Sequence, residues 1–221
     1  VIGISVFGNG GYHQYVKTAI RAYLTLFPSY RLRIHHDGTL NLSNYEHVLK
    51  KLEEENIIDL VKMPIRPEQG KCEKMLWRLS PAWQPEVEYV FSRDIDALPT
   101  WKERAATEEF ISSGLEVHTI LDNPAHCGVM GGLCGFKASA LRAMFSSFEK
   151  FIAYAKFTDK RWSEHGADQD FLNGEITPNL TVFEHSIKSY TTANPQLFSQ
   201  HIKPFDSSEV SPEIREQSET L

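Results

Sequence analysis

Two periods organise the apolar residues of this chain. Residues 1–8 (VIGISVFG) form a short, β-branched apolar run closed by glycine, the pattern of a buried central strand. Over residues 12–26 the apolar positions Tyr15, Val16, Ala19, Ala22, Tyr23 and Leu26 recur at helical spacing, and Pro28 marks the end. The alternation then repeats, with a strand at 31–35, a charged amphipathic helix at 44–55 and a strand at 57–63 stopped by Pro64. Strands alternating with helices predict an α/β fold, an α/β/α sandwich around a mostly parallel central sheet.

Further along, the pattern predicts a helix at 72–79, a turn bracketed by Pro81 and Pro85, and a strand at 88–92 that delivers Arg93-Asp94-Ile95-Asp96. In α/β proteins the polar residues that follow a buried strand are where chemistry is placed. A helix at 102–112 and a strand near 117–121 come next. The glycine-rich stretch 126–136 (HCGVMGGLCGF) reads as strand and close-packed turn together. Residues 138–157 read as one long helix, 166–173 (GADQDFLN) as the start of a short helix, and 180–184 as the last strand. From Asp206 the chain is acidic and almost without large apolar residues. Residues 1–205 therefore read as one domain and 206–221 as an acidic tail or linker.

Composition narrows the function classes. The 221 residues are 41% hydrophobic and 24% charged, ordinary values for a soluble globular protein. A net charge of −6 does not suit a grip on a polyphosphate backbone, so no nucleic-acid partner is expected. No stretch approaches the roughly 20 apolar residues that span a bilayer. Cys72, Cys127 and Cys134 are an odd and sparse set, which favours thiols in a reducing compartment and makes a cytoplasmic location the expectation.

Asp94-Ile95-Asp96 is the sharpest chemical signal. Two carboxylates at i and i+2 can turn toward one pocket where the chain bends, and Pro99 places a bend close by. Hard oxygen ligands suit Mg²⁺ or Mn²⁺, which keep part of their shell for water and phosphate oxygens, so the pair points to holding a diphosphate. The same tripeptide also serves as a turn or helix cap. Gly8-Asn9-Gly10-Gly11 lets backbone approach a nucleotide, but the third glycine of a dinucleotide fingerprint falls on His13. The G-x-x-x-x-G-K-[ST] loop, the G-x-S-x-G elbow and the H-E-x-x-H helix have no counterpart.

Four segments carry a resemblance by their order. They are Trp77-Arg78-Leu79-Ser80-Pro81, Tyr89-Val90-Phe91-Ser92-Arg93-Asp94-Ile95-Asp96, Cys127-Gly128-Val129-Met130-Gly131-Gly132-Leu133 and Asp168-Gln169-Asp170-Phe171-Leu172-Asn173. The chain resembles the GT-A fold glycosyltransferases, and in pattern their retaining, glycogenin-like branch (family 8). The resemblance implies a metal-dependent enzyme that moves a hexose from a nucleotide sugar, by default a UDP-sugar, to a carbohydrate or other hydroxyl acceptor. It places the donor beside the first strand at Val6, Phe7 and Gly8, with Mn²⁺ or Mg²⁺ bridging the diphosphate to Asp94 and Asp96. Arg78 and Arg93 would face the diphosphate, and Gly131 and Gly132 would let sugar or acceptor lie against backbone. Asp168 and Asp170 would lie under the donor sugar, one of them bonding its hydroxyls or, in an inverting enzyme, taking the acceptor proton. The family's third metal ligand, a C-terminal histidine, is expected at His185 rather than His201.

The sequence departs from that pattern at Ser92-Arg93, where the family carries Leu-Asp, and at the paired glycines after Met130. These departures leave the subfamily and the stereochemical outcome open. A haloacid-dehalogenase-like phosphatase also places Asp-x-Asp after a strand, though after its first strand rather than at mid-chain. A glycosyltransferase-like binding module without turnover is the non-enzymatic alternative.

Overall fold

The computed structural model describes residues 1–8, 11–40, 46–66, 68–158, 161–187 and 201–204. Its strands are β1 (Ile2–Val6), β2 (Leu32–His36), β3 (Ile58–Lys62), β4 (Tyr89–Arg93), β5 (Val117–Leu121), β6 (Leu133–Lys137), β7 (Val182–Ser186) and β8 (His201–Pro204). They form one sheet in the order β3-β2-β1-β4-β6-β5-β7-β8. Pairing is parallel except at β6, which runs antiparallel to both β4 and β5. The mostly parallel α/β sheet is as the sequence pattern predicts.

Two apolar cores cover the two faces. Ile2, Ile4 and Val6 of β1 and Phe91 of β4 pack with α1 (Val16–Leu26), with Leu49 of α2 (Glu46–Glu54) and with Phe110 of α4 (Trp101–Ser113). The opposite core joins α3 (Lys71–Leu76), α5 (Ala138–Met144), α6 (Phe148–Thr158) and α7 (Ala167–Phe171) to Val90 and Phe136. On that side β1 presents Gly3, where a β-carbon would stand 1.9 Å from the carbonyl oxygen of Arg78. Only glycine lets the 3-10 turn Trp77–Trp83 lie directly on the sheet, and this contact seats Arg78.

Helix α4 shows how local signals set its ends. The Thr100 hydroxyl accepts the Glu103 N–H at 3.2 Å as an N-cap, and Gly114 closes the helix at φ 70°. Thr-x-x-Glu reads as a capping box, yet the Glu103 carboxylate turns instead to Arg93.

Three elements differ from the sequence expectation. The helix expected at 72–79 becomes α3 followed by the 3-10 turn, because Pro81 lacks the N–H a continuing helix needs. The helix expected at 138–157 breaks into α5 and α6. Phe145 is extended there, the Trp83 indole N–H donates to its carbonyl at 2.7 Å, and the Ser147 hydroxyl caps α6 through the Lys150 N–H. The strand expected last is β7, and β8 pairs beyond it. The acidic segment 206–221 lies outside the described residues. Among the described residues no helix is long and apolar enough to cross a membrane.

Candidate active site

The chain places β2 and β3 on one side of β1 and returns with β4 on the other. Beyond the carboxyl ends of β1 and β4 the connections diverge, which is the switch point where open α/β sheets bind ligands. A cleft of about 470 Å³ opens there. Val6 and Phe7, at the end of β1, line it together with Asp94 and Asp96. Tyr12, Lys71 and His165 also line it.

Arg78 organises the floor beside this cleft. It is 2% exposed, and its guanidinium donates to Asp94 and, at 2.7 Å, to Asp168. Burial pulls its pKa down, but the Asp94 and Asp168 carboxylates outweigh that and hold it charged more firmly than usual. Two glycines make room for this network. A β-carbon at Gly131 would stand 2.6 Å from Asp168 Oδ2, and one at Gly132 would stand 1.8 Å from Asp94 Oδ2. The paired glycines therefore leave room for these two carboxylates. The Ser92 hydroxyl donates to the Gly131 carbonyl at 2.5 Å, tying that turn to β4.

Several expected site residues lie elsewhere. Arg93 is 1% exposed and points to the α4 face, where it holds Glu103 and donates to the Cys134 carbonyl at 2.6 Å. Strand alternation puts it on the side of Phe91, so it does not face a diphosphate. His185 is also 1% exposed, with Nδ1 3.0 Å from His118 Nε2 and Nε2 3.1 Å from Glu109 Oε2. It shares the α4 face with Phe183 and does not converge with Asp94 and Asp96. Asp168 and Asp170 point apart, because two residues on a helix are about 200° apart around its axis. Asp168 is buried on Arg78, whereas Asp170 is exposed and paired with Arg161 at 2.8 Å. Gly8 is left-handed at φ 74° and donates its N–H to Asp37 at 3.0 Å instead of offering it to a ligand. Thr39 also binds that carboxylate, which offsets burial and lowers the Asp37 pKa to about 2. Asn9 and Gly10 lie outside the described residues.

A second cleft, of about 210 Å³, shares Asp94 with the first and is also lined by Gly132. Asp122, His126, Met130 and Leu133 line it. Its Asp122 and His126 were not singled out by the sequence reading, and neither were Lys71 and Tyr12 of the larger cleft. Lys71 opens α3 directly after Gly70, and Asp122 and His126 are spaced i,i+4 after a buried strand. Those local signals are weak without the fold that turns them inward.

Asp94 and Asp96 offer two partly solvated carboxylates on one cleft wall. That donor set fits Mn²⁺ or Mg²⁺ completed by water and phosphate oxygens. Among the described residues no group of three or more His, Cys, Asp and Glu converges on one point, so a closed protein cage is not what these residues form.

No protein-family model matches this chain, and no curated protein matches it. Among solved structures it is similar to S. aureus TarS, a glycosyltransferase, with a TM-score of 0.52 at 12% identity over 85% of this chain and 35% of that one. The similarity to S. aureus TarS 1-349 in complex with UDP also has a TM-score of 0.52, at 11% identity over 85% of this chain and 58% of that one. The chain thus spans less than two thirds of each of these neighbours. The fold is of the GT-A type. Both clefts open beyond the end of β4, and Asp94 lies on the wall of each.

Proposed function

We propose that this chain is a nucleotide-sugar-dependent glycosyltransferase that moves a hexose from a UDP-sugar to a hydroxyl on a carbohydrate or other acceptor. The observation that carries the reading is the placement of Asp94 and Asp96 on one cleft wall beside the end of β1, at the switch point of the sheet. The UDP held by one solved neighbour supports the uridine class of donor. Mn²⁺ or Mg²⁺ on Asp94 and Asp96 would supply Lewis-acid stabilisation of the charge on the departing nucleoside diphosphate.

The chain's own residues fill the remaining roles in this reading. Lys71 places a compact cation in the cleft, suited to phosphate oxygens. Phe7 and the half-exposed ring of Tyr12 offer aromatic faces for base or sugar. Arg78 orients Asp94 and Asp168 from below. The sparse cysteines support a reducing, cytoplasmic setting for the reaction.

The test is a panel of UDP-, GDP- and dTDP-sugars with and without Mn²⁺, read by thermal shift and by released nucleotide. A donor at 100 times its Kd stabilises the fold by about 2.7 kcal/mol, and Asp96→Ala removes the metal-dependent part. Absence of transfer or hydrolysis from every donor, with Asp96→Ala unchanged in nucleotide affinity, overturns the reading.

A further inference from the structure

The residues first expected to take the acceptor proton are committed elsewhere, Asp168 to Arg78 and Asp170 to Arg161. The smaller cleft holds a different pair. Asp122 follows the last residue of β5, and the chain then folds back through Asn123, whose side chain accepts the Ala125 N–H at 2.9 Å and whose carbonyl accepts the His126 N–H at 3.0 Å. This turn sets His126 Nδ1 2.9 Å from Asp122 Oδ1. Both side chains are partly exposed, 31% for His126 and 44% for Asp122, and both line the cleft. The other titratable groups on its wall, Asp94 and Glu103, are each held by a buried arginine. At about 210 Å³ the cleft is below the roughly 300–1,000 Å³ that encloses a small molecule, so it admits the reacting end of an acceptor. Asp94 lines both clefts and so separates that end from the donor cleft by one side chain.

We infer that His126 is the general base for the acceptor hydroxyl and that Asp122 is its positioning residue, an inference that rests on the glycosyl-transfer reading above. The imidazole takes the hydroxyl proton as the acceptor oxygen bonds to the anomeric carbon. The bond from that carbon to the diphosphate oxygen breaks, and the nucleoside diphosphate leaves with the electron pair. The proton on His126 then passes to water. A single displacement of this kind inverts the anomeric centre, which departs from the retaining outcome implied by the glycogenin-like resemblance.

The experiment uses the full chain, the donor that the panel selects, and water as the acceptor, with released nucleoside diphosphate as the readout. His126→Gln is expected to lower kcat about 100-fold or more and to flatten the acid limb of the kcat profile. Asp122→Asn is expected to lower kcat without changing KM for the donor, and the sugar released by the native chain carries the inverted configuration when first formed. Unchanged donor affinity and an unchanged melting temperature in both variants separate these losses from misfolding. A His126→Gln enzyme with native kcat and pH profile, or a product of retained configuration, overturns the inference while leaving the transferase reading in place. A native chain that neither binds nor turns over any donor removes both.

Discussion

Arg78 Nη2 lies 2.7 Å from Asp168 Oδ2, joining a turn packed on β1 to helix α7 across ninety positions of sequence. Both side chains are almost fully buried, and among the described residues their separation from water is offset by each other and by Asp94. Removing one partner alone leaves an uncompensated charge. Arg78→Met is expected to destabilise the fold by about 3–5 kcal/mol, and combining it with Asp168→Leu to recover most of that loss. Urea unfolding of the two single variants and the double variant measures the coupling directly.

Gly132 and Gly3 both pack against this network, but they meet different parts of it. A β-carbon at Gly132 meets the end of a side chain, Asp94 Oδ2 at 1.8 Å, and Asp94 is partly exposed and able to turn. Gly132→Ala is expected to preserve the fold while moving Asp94, weakening metal-dependent nucleotide binding about tenfold, or about 1.4 kcal/mol. A β-carbon at Gly3 meets backbone, the Arg78 carbonyl at 1.9 Å, which cannot swing away. Gly3→Ala is expected to cost stability at the upper end of the overpacking range, about 3 kcal/mol. Parallel measurements of melting and nucleotide affinity check the contrast.

Asp96 and Arg93 stand three positions apart and do different work. Asp96 is exposed on the wall of the larger cleft, whereas Arg93 is sealed against Glu103 on the α4 face. Asp96→Ala is expected to leave the melting temperature unchanged and abolish metal-dependent nucleotide binding. Arg93→Met is expected to lower stability by about 3–5 kcal/mol by leaving Glu103 buried and unpaired. If Arg93→Met melts like the native protein yet loses nucleotide, Arg93 belongs to the cleft after all.

The contrast between those residues shows which parts of the molecule were legible in the sequence. Strands and helices followed from apolar spacing, and Asp-x-Asp fell at a strand end because a buried run stops where polar residues begin. Arg93 and His185 were misread because a strand changes face at every residue, and only the partners Glu103 and Glu109 reveal which face is which. Asp168 and Asp170 looked like a pair in sequence, yet the helical turn that carries them sends one into the core and one to solvent. The Asp122–His126 pair resembles an ordinary loop until the chain reversal at Asn123 closes it. Ala138 to Phe157 reads as one helix by composition, and the break comes from tertiary contact at Phe145.

Acid should act through two buried imidazoles. His35 is 1% exposed, and in its neutral form it donates from Nδ1 to the Ile4 carbonyl at 3.3 Å and accepts the Ser80 hydroxyl at Nε2, 2.9 Å away. Burial drags its pKa from 6.5 down to about 3, against the opposing pull of the Ile4 hydrogen bond. His118 moves in the same direction through burial, with His185 and Arg93 adding to the effect. A depressed pKa means that the unfolded chain binds the proton first as pH falls. The stability these histidines contribute is therefore complete above pH 6.5 and is lost progressively toward the folded value, about 3 for His35. Each is expected to steepen the fall by about 1.4 kcal/mol per pH unit within that window. Denaturant unfolding between pH 7 and pH 4.5 should show this slope, and His35→Gln, which removes one titrating group, should flatten it by that amount.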